Sequence, residues 1–147
     1  GKRPSDATYQ YIVVPATSTA DLEKNTSKDN IEILANTPYI QAVKNKELQM
    51  CQVVFYKAGE LQISENYTLV SDHPGMIMLK MDGNKVTRIS VADPNRELNN
   101  YHLSVSEKIE NRGQNLKAVW EAGENLTHIT IRLPQKNYRG ASVTIKL

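Results

Sequence analysis

The chain has 147 residues, a formal net charge of +2, 23% charged residues and one cysteine. A domain of this size buries roughly two-thirds of its unfolded surface without staples, and Cys51 on its own excludes an intrachain disulfide. The mild charge lacks the basic stripe of a nucleic-acid binder, and no apolar run is long enough to cross a membrane as a helix.

In chain order, Tyr9 to Val14 reads as a β-strand with Tyr9, Tyr11 and Val13 on one face and Gln10, Ile12 and Val14 on the other. Both faces carry apolar or aromatic bulk, so the strand expects cover on each side from sequence outside the chain. Taken by itself it should fold back or pair with a second copy. Ser18 caps a short helix from Thr19 to about Thr26 with Asp21 at the third helical position, and residues 16–30 read as a linker. Ile31 to Leu34 and Gln41 to Lys44 are short strands. Met50 to Lys57 alternates Cys51, Val53 and Phe55 against Gln52, Val54 and Tyr56, and Ala58-Gly59-Glu60 turns it into Leu61 to Ser64 as a hairpin.

Tyr67 to Val70 and Gly75 to Met81 follow, and Asp82-Gly83-Asn84 is the strongest turn signal, returning the chain into Val86 to Ala92. Asp93-Pro94-Asn95 breaks the ladder, since proline lacks a donor. Tyr101 to Ile109, Asn115 to Glu121, Thr127 to Leu133 and Ser142 to Leu147 complete nine or ten short strands, all antiparallel, with almost no helix. Alternation and bulk select Val53, Phe55, Leu79, Ile89, Leu103, Val119, Ile131 and Ile145 for the core. Cys51 reads as a small buried hydrophobe rather than a reactive thiol.

Several residue types are candidates for chemistry. Arg132, Lys136, Arg139 and Lys146 gather in the last strands as a shallow basic patch towards sulfate or carboxylate groups, although Glu110, Glu121 and Glu124 nearby favour a solvated face. Trp120 is a candidate sugar-stacking face, but its alternation with Leu116 and Ala118 points inward. Tyr138 beside Arg139 is the candidate exposed aromatic and basic pair. His73, His102 and His128 have no second histidine or carboxylate at metal-site spacing, apart from Asp72 next to His73, and read as ordinary surface histidines. No residue is assigned a catalytic role, and no cofactor or metal is expected. Asn25, Asn66 and Asn125 are sequons that matter only in a eukaryotic secretory setting.

The opening Gly1-Lys2-Arg3-Pro4-Ser5-Asp6-Ala7-Thr8-Tyr9-Gln10-Tyr11-Ile12-Val13-Val14-Pro15 resembles the last strand of the central β domain of family 8 polysaccharide lyases, the chondroitin, hyaluronate and xanthan lyases. Ile31 to Thr37, Gln41 to Val43, Pro74 to Leu79, Ile89 to Pro94 and Gly140 to Ile145 fall in the order of that family's tail, nearest to the chondroitin lyases. Asn95 departs from the threonine expected after the Asp-Pro. The resemblance implies an all-β, two-layer antiparallel β-sandwich over 31–147, preceded at 1–15 by the last strand of another β domain. It implies a bacterial, periplasmic or extracellular parent enzyme that cleaves glycosaminoglycans by β-elimination. In the family the asparagine, histidine, tyrosine and arginine that do so lie mostly on an N-terminal α/α-toroid, and none of those motifs occurs here. The implied role is a non-catalytic domain packed on preceding domains of the same polypeptide. The alternative is an independent module binding anionic polysaccharide through Trp120, Arg132, Lys136, Tyr138 and Arg139. No nucleic-acid or membrane partner is expected.

Overall fold

A computed structural model describes residues 8–13, 15–21, 30–83, 85–110 and 114–147. Strands occupy 54% and helix 5% of it, which makes the protein all-β. Among the described residues eleven strands form: β1 (Ile31–Asn36), β2 (Ile40–Asn45), β3 (Met50–Phe55), β4 (Gly59–Ser64), β5 (Tyr67–Ser71), β6 (Gly75–Asp82), β7 (Lys85–Ala92), β8 (Asn100–Val105), β9 (Leu116–Glu121), β10 (Leu126–Arg132) and β11 (Val143–Lys146). They build two antiparallel sheets, one ordered β1-β2-β3-β6-β7-β11 and the other β4-β5-β8-β10-β9. This is the expected sandwich.

Alternation decides which side chains fill it. Cys51, Val53 and Phe55 of β3, Ile77, Leu79 and Met81 of β6, and Ile89 and Val91 of β7 point inward from the six-stranded sheet. Leu61, Ile63, Tyr67, Leu69, Tyr101, Leu103, Ile129 and Ile131 answer from the other. Cys51 is buried as expected.

The reversal at Asp82-Gly83 is a hairpin: Asp82 pairs with Lys85, and Gly83 adopts the left-handed φ of 59° that glycine tolerates. Asn84 lies outside the described residues.

Two expectations fail in the core. Ala58-Gly59-Glu60 does not close a hairpin, because β3 and β4 belong to different sheets. Both edges of β3 are occupied, by β2 and by β6, so β4 has no edge of β3 to pair with and the chain arches across to the opposite layer. Val119 is half exposed rather than buried. It has the opposite parity to Leu116, which is buried, and the pleat turns it outward. Ile145 is partly buried, packed against the margin of the core.

Residues 8–13 carry no strand, with the rings of Tyr9 and Tyr11 stacked at 6.1 Å and both exposed. The Ser18 hydroxyl accepts the Asp21 N–H at 3.2 Å, and residues 19–21 are helical. The remainder of the expected helix, 22–26, lies outside the described residues, as does Asn25.

Candidate functional site

One end of the sandwich is organised by a buried carboxylate. Asp93, 3% exposed, accepts the backbone N–H groups of Asn95 at 3.0 Å, Glu97 at 2.7 Å and Leu98 at 2.7 Å. Three donors satisfy a charge that the interior would otherwise not tolerate, and they coil the chain after β7 into a compact loop with Arg96 at a left-handed φ of 62°. Arg139 reaches this loop from the other side of the sequence. Its Nη1 donates to the Arg96 carbonyl at 2.9 Å, and its Nη2 donates to Asn99 Oδ1 at 2.7 Å and Gln135 Oε1 at 3.1 Å. The planar guanidinium thus fastens two loops together.

Around this fastening stand the other expected binding residues. Lys136 opens the 3-10 turn Lys136–Tyr138 at a φ of 57°, and Tyr138 is 75% exposed. Arg132, outward on β10, lines a shallow open depression with Asn115, Leu133, Pro134, Gln135 and Val143. Arg132 and Arg139 therefore share Gln135 as a neighbour. Trp120 does not join them. It pairs with Thr127, five residues from Arg132 along β10, or about 17 Å at strand rise. It is half-buried on the same face as Leu116 and Ala118, the inward side that its alternation indicated. Lys146 stands on the other sheet, opposite Arg88.

The sequence reading missed Asp93, Arg96, Asn99 and Gln135 as the frame of this end. The Asp-Pro break was visible, but the carboxylate's donors lie two to five residues downstream and the arginine's acceptors up to 43 residues away.

The two outer faces differ in chemistry. On the six-stranded sheet, register aligns Ile33, Val43, Gln52, Met78, Ser90 and Thr144 in one row, and Gln41, Val54, Met76 and Ala92 in the next. A third row runs Asn45, Met50, Lys80, Arg88 and Lys146. On the five-stranded sheet one row is Glu60, Val70, Ser104, His128 and Val119, and another is His102, Thr130 and Lys117.

His102 and His128 belong to that second face and are occupied there. His128 Nδ1 shares a hydrogen bond with Ser104 Oγ at 2.9 Å, and its Nε2 lies 3.0 Å from Glu124 Oε2. Glu124 stands four residues before His128, a carboxylate at helical spacing that the sequence reading overlooked; here it sits in the turn between β9 and β10 and reaches His128 at the start of β10. His102 Nδ1 bonds Thr130 Oγ1 at 3.2 Å, and its ring centroid is 5.7 Å from that of His73. Among the described residues, no three histidine, cysteine or acidic side chains come together as a metal would require.

Three groups that could act as nucleophile or acid, Cys51, Tyr67 and Tyr101, are shut inside. Burial pushes the Cys51 thiol up from 9.0 to about 11, with Lys44 opposing in part. It likewise pushes the Tyr101 phenol from 10.0 to about 12, against the hydrogen bond from Ser71, whose hydroxyl lies 2.7 Å away. Tyr67 moves in the same direction for the same cause. All three are neutral at physiological pH.

Comparison with known proteins places this geometry. Residues 32–102 match the model of the polysaccharide lyase family 8 C-terminal beta-sandwich domain. Chondroitinase-AC of Pedobacter heparinus is 31% identical over 147 residues, 99% of this chain but 19% of that protein. Chondroitin sulfate ABC exolyase of Proteus vulgaris is 26% identical over 117 residues, covering 80% of this chain and 11% of its own length. A chondroitinase AC lyase solved with oligosaccharides superposes with a TM-score of 0.65 at 25% identity, over 88% of this chain and 17% of that one. The chain thus spans a fifth or less of the length of these relatives.

Proposed function

We propose that this chain, which carries the C-terminal β-sandwich domain of polysaccharide lyase family 8, serves as the non-catalytic domain of a bacterial glycosaminoglycan lyase, packing on the catalytic body and stabilising it. One observation carries the reading: almost the whole chain aligns with a fifth of a chondroitinase-AC. The parent reaction is a β-elimination at a uronic acid. It needs the carboxylate neutralised, a base to take the α proton and an acid to protonate the leaving oxygen, all in one cleft. In this domain the buried phenols Tyr67 and Tyr101 and the Cys51 thiol are held neutral, and His102 and His128 are engaged by cross-strand hydroxyls. Residues 1–15 then serve as the last strand of the preceding β domain; Tyr9, Tyr11, Ile12 and Val13, between 62% and 83% exposed, have the apolar surface that such a sheet would cover. The setting is periplasmic or extracellular.

The test follows the ultraviolet absorbance of the unsaturated uronate. This chain alone should release none from chondroitin sulfate or hyaluronan, and the longer polypeptide containing it should release it from at least one. Product made by the chain alone and abolished by changing His73, His102 or Tyr138 would place the chemistry in the sandwich and defeat the proposal.

A second reading, an independent module for anionic polysaccharide, draws on the exposed Tyr138 ring in the turn that Lys136 opens and on Arg132 in the neighbouring depression lined by Gln135. It requires that the chain be retarded on immobilised chondroitin sulfate and that Tyr138→Ala release it.

A further inference from the structure

Sandwiches usually set a polar exterior against an apolar interior on each strand. The outer face of the six-stranded sheet does not follow that pattern. Val54, Met76 and Met78 adjoin in two rows that contain no charged residue, and Ile33 and Val43 form a second apolar pair beyond Gln41 and Gln52. Met76 is 49% and Ile33 43% exposed. Apolar side chains left exposed next to one another on a sheet face are a feature of interaction sites, and methionine adapts to an irregular partner surface. Along one border the third row sets Lys80, Arg88 and Lys146 side by side across three strands. Like charges directly opposite each other repel, and no acidic residue shares the row.

We infer that this face is the docking surface for the preceding domains of the same polypeptide, and that it meets there an apolar surface bordered by acidic residues along the Lys80–Arg88–Lys146 side. The occupant follows from length and charge. More than four-fifths of the chondroitinase-AC relative lies outside the region matched by this chain, so a large body of polypeptide accompanies the domain in that protein. The cationic border lacks its anionic complement within the row. The opposite face, with Glu60, His128, His102 and Lys117 interleaved, is suited to water. The inference rests on the accessory-domain reading and specifies the face that reading leaves open.

The experiment uses the longer polypeptide and calorimetry. Unsubstituted, it should melt with the sandwich in one cooperative transition. V54K/M76K should split off a separate transition at the temperature where the isolated chain melts, and the same double variant in the isolated chain should melt as its parent does, showing that the fold is intact. Thr130→Lys on the opposite face is the control and should leave one transition. Arg88→Glu should lower the joint transition, since it would face acidic residues. A single, unshifted transition in V54K/M76K, or equal splitting by Thr130→Lys, would overturn the inference. Lyase activity of the unsubstituted longer polypeptide is read separately: its absence defeats the functional proposal and leaves the docking result to stand by itself.

Discussion

The two sheets bury their inner faces alike and expose opposite chemistries. In β6 of the six-stranded sheet, Met76 and Met78 alternate with Ile77 and Leu79, so both parities are apolar. In β8 of the five-stranded sheet, His102 and Ser104 alternate with Tyr101 and Leu103. Both strands form because either pattern supplies one apolar face for the core. The second apolar parity of β6 contributes cross-strand pairs to the sheet but is not needed to close the core. Folding needs one face of each sheet, and the second face is available for partner recognition.

The interior that joins the sheets offers the sharpest ways to break them apart. The largest effect is expected from alkali. Cys51 belongs to the six-stranded sheet and Tyr101 to the other, and each has a folded pKa raised above its unfolded value, to about 11 and about 12 from 9.0 and 10.0. A raised pKa of this kind gives stability that is complete below the unfolded value and lost as pH climbs through the folded one. Each two-unit shift is equivalent to about 2–3 kcal/mol, so urea denaturation should show stability falling from about pH 9 and roughly 5 kcal/mol lost by pH 12. Tyr101→Phe should remove the phenol's share of that slope. A flat profile to pH 12 would mean that neither group is as enclosed as the geometry shows.

Next in size is the seam itself. A Cβ on Gly75, in the six-stranded sheet, would lie 2.4 Å from Tyr101 Cε2 and 2.5 Å from its hydroxyl in the other. The ring cannot yield, because its hydroxyl is held by Ser71 Oγ and by the His73 carbonyl at 3.1 Å. Gly75→Ala should therefore cost about 3 kcal/mol through overpacking. Gly59→Ala is the comparison: its Cβ would meet the movable Ile40 Cδ1 at 3.2 Å, and a loss below about 1 kcal/mol is expected. Equal midpoints for the two variants would show that the sheets are not locked at Gly75. Smaller again is Gly83→Val, which forces a β-branched residue to a φ of 59° where there is otherwise open space. It should cost about 1–2 kcal/mol from backbone strain alone, and a wild-type melting temperature would deny that turn.

These sites also show what was legible beforehand. Gly83 was readable because Asp-Gly between alternating runs is a local signal with one conformational meaning. The arch between β3 and β4 was not, because Cys51, Val53, Phe55, Leu61 and Ile63 alternate identically whether the two strands pair or face each other across the core. β2 takes one edge of β3 in a local hairpin, and only the capture of the other edge by β6, a long-range event, tells the two arrangements apart. Val119 was readable and misread: Leu116, Ala118 and Trp120 already claimed the inward parity, and bulk was weighed above it. The Asp93 and Arg139 fastening was illegible for another reason. A carboxylate that collects backbone donors looks in sequence like any turn aspartate, and its arginine partner loop lies more than 40 residues on.

The smallest effect bears most directly on the contrast between the exteriors. Met76→Lys and Val119→Lys each place a cation at a position that is about half exposed, 49% and 50% respectively. In the isolated chain both should shift stability by no more than about 0.5 kcal/mol, the ordinary range for surface substitutions away from special features. They should part company in self-association. Met76 lies among Val54, Met78 and Ala92 by register, whereas Val119 is flanked by His128 across the strand pair and by Lys117 and Glu121 along β9. If the six-stranded face is the sticky one, light scattering at rising concentration should show the unsubstituted chain associating weakly, Met76→Lys abolishing that tendency and Val119→Lys leaving it in place. Equal behaviour of the two variants would make the exteriors equivalent, and the apolar rows of β3 and β6 would then be a consequence of composition rather than a surface with a purpose.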